Sequence, residues 1–220
     1  MSNDIPLIAL LSLATLIPFL VASGTCFIKF SIVFVMVRNA LGLQGVPSNI
    51  TLNGVALLLS LFVMLPVGKS AYEAYRSENV NVANAASVQN FIENGLDGYR
   101  AYLKKYADPK LVTVFEKSLT GRLAGQDGVA PDYDAKDSIV ALLPAYALSE
   151  IKSAFTIGFY LYLPFVVIDL VVSSILLALG MMMMSPVTVS TPIKLVLFVV
   201  MDGWTILSTG MIQQYLDLAL

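Results

Sequence analysis

Gly180-Met181-Met182-Met183-Met184-Ser185-Pro186 separates two long apolar segments without supplying the charges that a solvent-exposed loop normally carries. No charged residue occurs from Leu170 to Ile193. Gly and Pro interrupt a helix, and each backbone amide freed in this way costs several kcal/mol if it faces lipid. The loop therefore belongs inside protein or along the wall of a cavity. Four consecutive unbranched thioethers would give such a wall a soft lining that repacks around different shapes. Two readings fit these residues. Met181, Met182, Met183 and Met184 form a deformable gasket, or they form a buried hairpin turn that is simply rich in methionine.

The chain around this loop has the composition of a membrane protein. Of its 220 residues, 57% are hydrophobic and 13% are charged, with a mean hydropathy of +0.79, well outside ordinary soluble composition. A net charge of −2 and a pI near 5.0 give no basic field for nucleic acid. With no histidine, the chain lacks the commonest general base and metal ligand, and its single cysteine, Cys26, cannot close an internal disulfide. Set among Thr25, Phe27 and Ile28, Cys26 reads as a small buried hydrophobe. Phosphate-loop, dinucleotide-binding and CxxC motifs are missing from the sequence. These features predict a protein that is not an enzyme and that holds no cofactor and no metal. Met1 to Ile28 has neither Lys nor Arg. It lacks the positive n-region of a secretory signal and is expected to stay as a hydrophobic element of the mature protein.

Uncharged spans from Ile5 to Ile28 and from Asn39 to Gly68 each contain the roughly 20 apolar residues that cross a bilayer. Gly42, Gly45 and Pro47 shorten the second, whose helix is predicted to start around Asn49 to Thr51, which can cap it, and to run toward Pro66. Segments from about Phe155 to Leu179 and from about Val189 to Leu207 complete four hydrophobic elements. Lys69 to Asp137 differs sharply, holding 19 of the 28 charged residues. Within it Phe91, Ile92, Leu96, Tyr99, Leu103 and Tyr106 recur at helical spacing. Leu111, Val112, Phe115 and Leu119 do so again after Asp108-Pro109, a good N-cap and N1 pair. Gly121 to Asp137, with Gly125, Gly128 and Pro131, reads as a connector. The expected chain is all-α, built of hydrophobic helical hairpins: N-terminal hydrophobic helices over 1–68, a soluble helical insert over 69–138, and C-terminal hydrophobic helices with the methionine loop over 139–220. Lys29 and Arg38 flank the first connection, which places it in the cytoplasm and the insert outside, in the periplasm of a bacterium.

Lys29, Glu150, Lys152, Asp169, Lys194 and Asp202 interrupt or border the apolar segments, where an unpaired ion is costly and points inward. If the third and fourth segments form an antiparallel hairpin about Ser185-Pro186, Asp169 and Asp202 lie 16 residues on either side of it. Two carboxylates at one depth repel unless one is protonated or a lysine intervenes. Lys194, from the same or a neighbouring subunit, would supply that charge. A structural ion pair and a proton relay both fit; the lack of histidine or a dense carboxylate chain favours the pair.

Three stretches carry a family resemblance: GTCFIKFSIVFVMVRNALGLQ from Gly24 to Gln44, PAYALSEIKSAFTIGFYLYLPFVVIDLVVSSILLALGMMMMSPV from Pro144 to Val187, and STPIKLVLFVVMDGW from Ser190 to Trp204. They closely resemble the FliP/SctR family, and its injectisome branch more than its flagellar one. The resemblance covers both hydrophobic halves and leaves the insert weakly determined. It implies membership of the type III secretion export apparatus. There such subunits, typically five, assemble with SctS and SctT into a helical, pore-forming ring, with SctU near the entrance. The ring belongs to the bacterial inner membrane and projects into the periplasm. The family's methionine-rich pore loop falls on Met181, Met182, Met183 and Met184. The partners implied are further copies of the chain, SctS-like, SctT-like and SctU-like proteins, needle and inner-rod proteins, and unfolded secreted polypeptides. From the residues alone a small-solute transporter or channel is the alternative, although the paired broken helices of related halves are not visible. A scaffold that nucleates the needle base is compatible with the same residues.

Overall fold

The computed structural model describes residue 15 and residues 18–77, 95–127 and 138–216. Phe91, Ile92 and residues 128–137 lie outside the described residues; the connector expected over Gly121 to Asp137 needs correction at its start, because Gly121 to Asp127 continue the helix that begins at Pro109. Among those described, the chain is helical and contains no strand. Its helices are α1 (Pro18–Gly24), α2 (Phe27–Ala40), α3 (Asn49–Ser77), α4 (Asp97–Tyr106), α5 (Pro109–Asp127), α6 (Ile139–Ala178), α7 (Pro186–Val200) and α8 (Gly203–Leu216).

Local chemistry accounts for most of the boundaries. Helix α2 stops where Gly42 takes a positive φ of 78°, the left-handed conformation that costs glycine nothing. The Gly42 N–H then reaches the Asn39 carbonyl at 3.0 Å and the Leu43 N–H reaches that of Arg38 at 3.2 Å, satisfying two carbonyls that the helix end leaves open. Helix α3 is capped by Ser48, whose Oγ accepts the Thr51 N–H at 3.2 Å. The cap is thus one residue earlier than the predicted Asn49 to Thr51, because the Asn49 side chain is occupied, accepting from Arg38 at 2.7 Å. Asp108 caps α5 as predicted, its Oδ1 accepting the Lys110 N–H at 3.0 Å with Pro109 in the first helical position.

Three long-range expectations need correction. Helix α3 does not end near Pro66 but runs through it to Ser77, so it crosses the predicted boundary at residue 69. A proline inside a helix removes one hydrogen bond, whereas ending the helix in an apolar environment would strand several backbone groups at once. Helix α6 begins at Ile139, well before Phe155, and spans 40 residues with Pro144 and Pro164 inside it. At 1.5 Å per residue it is about 60 Å long, twice the ~30 Å hydrocarbon core. The segment expected from Val189 to Leu207 is two helices, α7 and α8, bent by 58° at Met201-Asp202. Asp202 there adopts φ 50°, a left-handed conformation that Asp tolerates better than most residues. Among the described residues two helices, α3 and α6, are each long and apolar enough to cross a membrane, and up to four spans result if each bent pair counts as one.

The chain divides into two compact units, residues 1–28 with 64–150 and 220, and residues 29–63 with 151–219. In the first, Tyr102 and Leu103 of α4 are buried with Leu142, Ala145 and Tyr146 of α6 and with Cys26. The Tyr102 and Tyr146 hydroxyls hydrogen-bond, and the Tyr99 hydroxyl donates to the Gly24 carbonyl at 2.9 Å. The Asp108 N–H donates to Ser149 Oγ at 2.7 Å, and that hydroxyl donates in turn to the Ala145 carbonyl at 2.7 Å. Burial raises the pKa of Tyr99 to about 12 and raises that of Tyr102 as well.

In the second unit Phe30, Val33, Phe34 and Val37 form one buried stripe of α2 at helical spacing, and Leu41, just past its end, is buried too. Phe30 meets the Tyr215 ring at 6.1 Å and Phe34 meets Trp204 at 5.8 Å, edge to face, which fastens α2 to α8. The outer faces are also apolar: Phe62 and Leu65 of α3 and Phe159, Val167 and Leu170 of α6 are exposed in the single chain. Helices apolar on both faces need lipid or further protein around them.

Candidate functional site

The methionine loop is the tip of the α6–α7 hairpin. Gly180, at φ 72°, ends α6 by a paired cap in which its own N–H reaches the Leu177 carbonyl at 3.1 Å and the Met181 N–H reaches that of Leu176 at 2.9 Å. The Met184 N–H closes a tight turn on the Met181 carbonyl at 3.2 Å, and Pro186 starts α7 in the first helical position. The chain therefore satisfies part of the tip's backbone internally and leaves its methionine side chains exposed. Met182 is 81% exposed and Met183 is fully exposed, with Met181 and Met184 half exposed. Of the two readings open from sequence, a buried turn does not describe this loop in the single chain. An exposed uncharged apolar tip is a surface made to be covered.

Behind the tip the hairpin stem is fastened by one polar cluster. Lys194 Nζ on α7 donates to Asp169 Oδ2 on α6 at 2.6 Å and to the Ala40 carbonyl at 3.2 Å. Ser190 Oγ donates to the other oxygen, Asp169 Oδ1, at 2.5 Å. The lysine side chain is 3% exposed and the aspartate side chain 34%. Ala40 ends α2, where the helix dipole and the open carbonyls favour a cation. One ammonium thus joins α6, α7 and the C-terminal end of α2. A close approach holds the same junction: a Cβ at Gly42 would meet Thr191 Oγ1 at 2.6 Å.

The other charges singled out in the sequence do not enter this cluster. Asp202 sits at the α7–α8 break, exposed, its Oδ1 accepting from the Thr205 hydroxyl at 2.9 Å. The hairpin symmetry that paired it with Asp169 fails because the bend intervenes. Glu150 is fully buried, while Lys152, two positions on, is exposed; positions i and i+2 of a helix do not face each other. Lys29 is buried on α2, its ammonium 3.5 Å from Gln214 Oε1 and 4.6 Å from the centre of the Tyr215 ring. Sequence reasoning missed Ser190 and the Ala40 carbonyl. Ser190 was findable, because it lies four residues before Lys194 on the same helical face. Among the described residues no group of His, Cys, Asp and Glu could hold a metal ion.

Long apolar helices and a methionine-tipped hairpin whose stem carries a buried ion pair fit a membrane protein. The profile of the FliP family matches residues 10–211, and the chain belongs to that family. It is 66% identical over 223 residues to the surface presentation of antigens protein SpaP of Salmonella typhimurium, covering 100% of each chain. It is 58% identical over 218 residues to the SpaP protein of Shigella flexneri, covering 99% of each. It is 45% identical to the Yop proteins translocation protein R of Yersinia pestis, covering 97% of each. The family expected from the three sequence stretches is the one found.

Proposed function

We propose that the chain is a core subunit of a type III secretion export gate, in which Met181 to Met184 of several copies close the protein-conducting pore. The observation that carries this reading is the outward-facing, uncharged methionine tip on a stem held by the Lys194–Asp169 cluster. Membership of the FliP family, with relatives named for antigen presentation and Yop translocation, supports the same reading. A ring of thioethers offers no fixed hydrogen bonds, so it resists hydrated ions by dewetting yet yields to varied side chains.

In this reading the apolar outer faces of α3 and α6 are covered by further copies, about five in all, and by SctS-like, SctT-like and SctU-like proteins. The assembly sits in a bacterial inner membrane and projects into the periplasm, with α4 and α5 on the periplasmic side. Needle, inner-rod and effector polypeptides cross it unfolded. A cysteine in place of Met183, combined with a secreted substrate stalled by a folded C-terminal fusion, tests the assignment. Disulfide or maleimide cross-links to the stalled polypeptide support it; cross-links only from cysteines on α4 or α5 contradict it.

A further inference from the structure

The chain carries nine methionines, and those described differ sharply in how open their side chains are. Met183 is fully exposed and Met182 is 81% exposed, whereas Met211 on α8 is buried at 2%. Met36 on α2 holds its sulfur so close to α6 that a Cβ at Gly158 would collide with it. An oxidant in solution must reach the sulfur itself, so it meets Met182 and Met183 first. The backbone of the tip adds a second feature. The Gly180, Met181 and Met184 N–H groups are bonded within the turn, but those of Met182 and Met183 meet no acceptor among the described residues. A thioether is a weak acceptor, so these two donors gain little from the methionines around them.

We propose that Met182 and Met183 are a reversible oxidation site, at which a peroxide converts the dry tip into a wet one and opens the conduit to ions. In each event the sulfur lone pair attacks one peroxide oxygen, the O–O bond breaks and an S–O bond forms. The departing oxygen leaves as water after proton transfer, with sulfur losing two electrons and the peroxide gaining them. The sulfoxide is polar where the thioether was apolar. Its oxygen gives water a fixed acceptor at the constriction and gives the two open amides a partner, whereas dewetting needs a wall that offers neither. Hydrogen peroxide is small and uncharged, so a dry constriction that turns away hydrated ions does not keep it from the sulfurs. A methionine sulfoxide reductase supplied with a dithiol reverses the change: the oxygen leaves as water and the two thiols close to a disulfide. The effect on ions rests on the export-gate reading, while the order of oxidation depends on exposure alone.

The test treats the purified complex with hydrogen peroxide, follows sulfoxide at each methionine by mass spectrometry, and reads ionic conductance in planar bilayers. Met182 and Met183 should oxidise well before Met36 and Met211, and conductance should rise severalfold in step with them. Methionine sulfoxide reductases with dithiothreitol should bring it back. A chain with Met181→Leu, Met182→Leu, Met183→Leu and Met184→Leu keeps apolar bulk without sulfur, so peroxide should leave its conductance where it started, whatever that value. Met201→Leu changes an exposed methionine outside the tip and should respond to peroxide as the native complex does. Sulfoxide at Met211 as early as at Met183, or a rise that persists in the four-leucine chain, would overturn the proposal. So would complete oxidation of the tip without a rise, in a complex whose deletion of Met181 to Met184 does leak. A deletion complex that stays sealed would overturn the export-gate reading and the effect on ions with it.

Discussion

Asp169→Asn removes one charge from a cluster in which the other is almost fully enclosed. The Lys194 ammonium would keep the Ala40 carbonyl at 3.2 Å but lose the carboxylate at 2.6 Å, with only 3% of its side chain open to solvent. Breaking a buried pair from one side typically costs about 3–5 kcal/mol, because the remaining charge stays buried and unpaired. Here the lower end applies. About a third of the Asp169 side chain is exposed, and asparagine still offers one oxygen to Ser190 or Lys194. A loss of about 3 kcal/mol in a chain of this size lowers the melting temperature by roughly 6–12 °C. Thermal unfolding in detergent, followed by the fluorescence of Trp204, the sole tryptophan, reads this directly. The double variant Asp169→Asn/Lys194→Met removes both charges and should recover to within about 1 kcal/mol of the native chain. An Asp169→Asn chain that melts with the native one, or a double variant as unstable as the single, refutes the structural role. If that stable single variant also assembled but exported nothing, the proton-relay reading would take its place.

Asp202→Gly should leave the melting temperature near native, since glycine accepts φ 50° freely, whereas Asp202→Val should lose about 1–2 kcal/mol to the left-handed backbone; paired melts decide between them. The Tyr99 hydroxyl, raised by burial to about 12, prefers its neutral form in the folded chain, so its contribution is complete below pH 10 and is lost as pH climbs from 10 through about 12. Alkaline unfolding followed by far-UV dichroism should therefore begin above pH 10, and Tyr99→Phe should move it upward; a transition already complete below pH 10 contradicts this. Lys105 and Lys117 lie exposed on α4 and α5, so cysteines placed there should react with a membrane-impermeant reagent added from the periplasmic side. Reaction only from the cytoplasm would invert the assigned topology.

Hydropathy and helix chemistry made the helical, membrane-embedded character legible, along with the Asp108-Pro109 start of α5 and the hairpin break at Gly180. Helix ends were less legible wherever environment outweighs local preference. Pro66 should have stopped α3 in water, but it lies in an apolar run whose backbone has nothing else to bond. The bend at Met201-Asp202 was hidden for the opposite reason: the run from Leu195 to Leu207 is uncharged apart from Asp202, and neither the φ of Asp202 nor the ring of Phe198 against Gly203 shows in hydropathy. Asp169 and Lys194 were legible as ions needing partners. That Lys194 would also bond the Ala40 carbonyl, 154 residues earlier, depends on tertiary packing alone. The Tyr102–Tyr146 contact was similarly out of reach, since neither tyrosine carries a sign in the sequence of which distant residue it will meet.

The central claim is that the methionine tip seals the conduit. Its most direct measurement is the ionic conductance, in planar bilayers, of the purified complex carrying a deletion of Met181 to Met184, beside the native complex and with assembly checked by native mass spectrometry. Removing the thioethers takes away the dry constriction but leaves the Lys194–Asp169 clamp in the stem. The account predicts an assembled complex that leaks ions far more than the native one. An assembled deletion complex whose conductance stays at the native level would contradict it and reduce the loop to a turn.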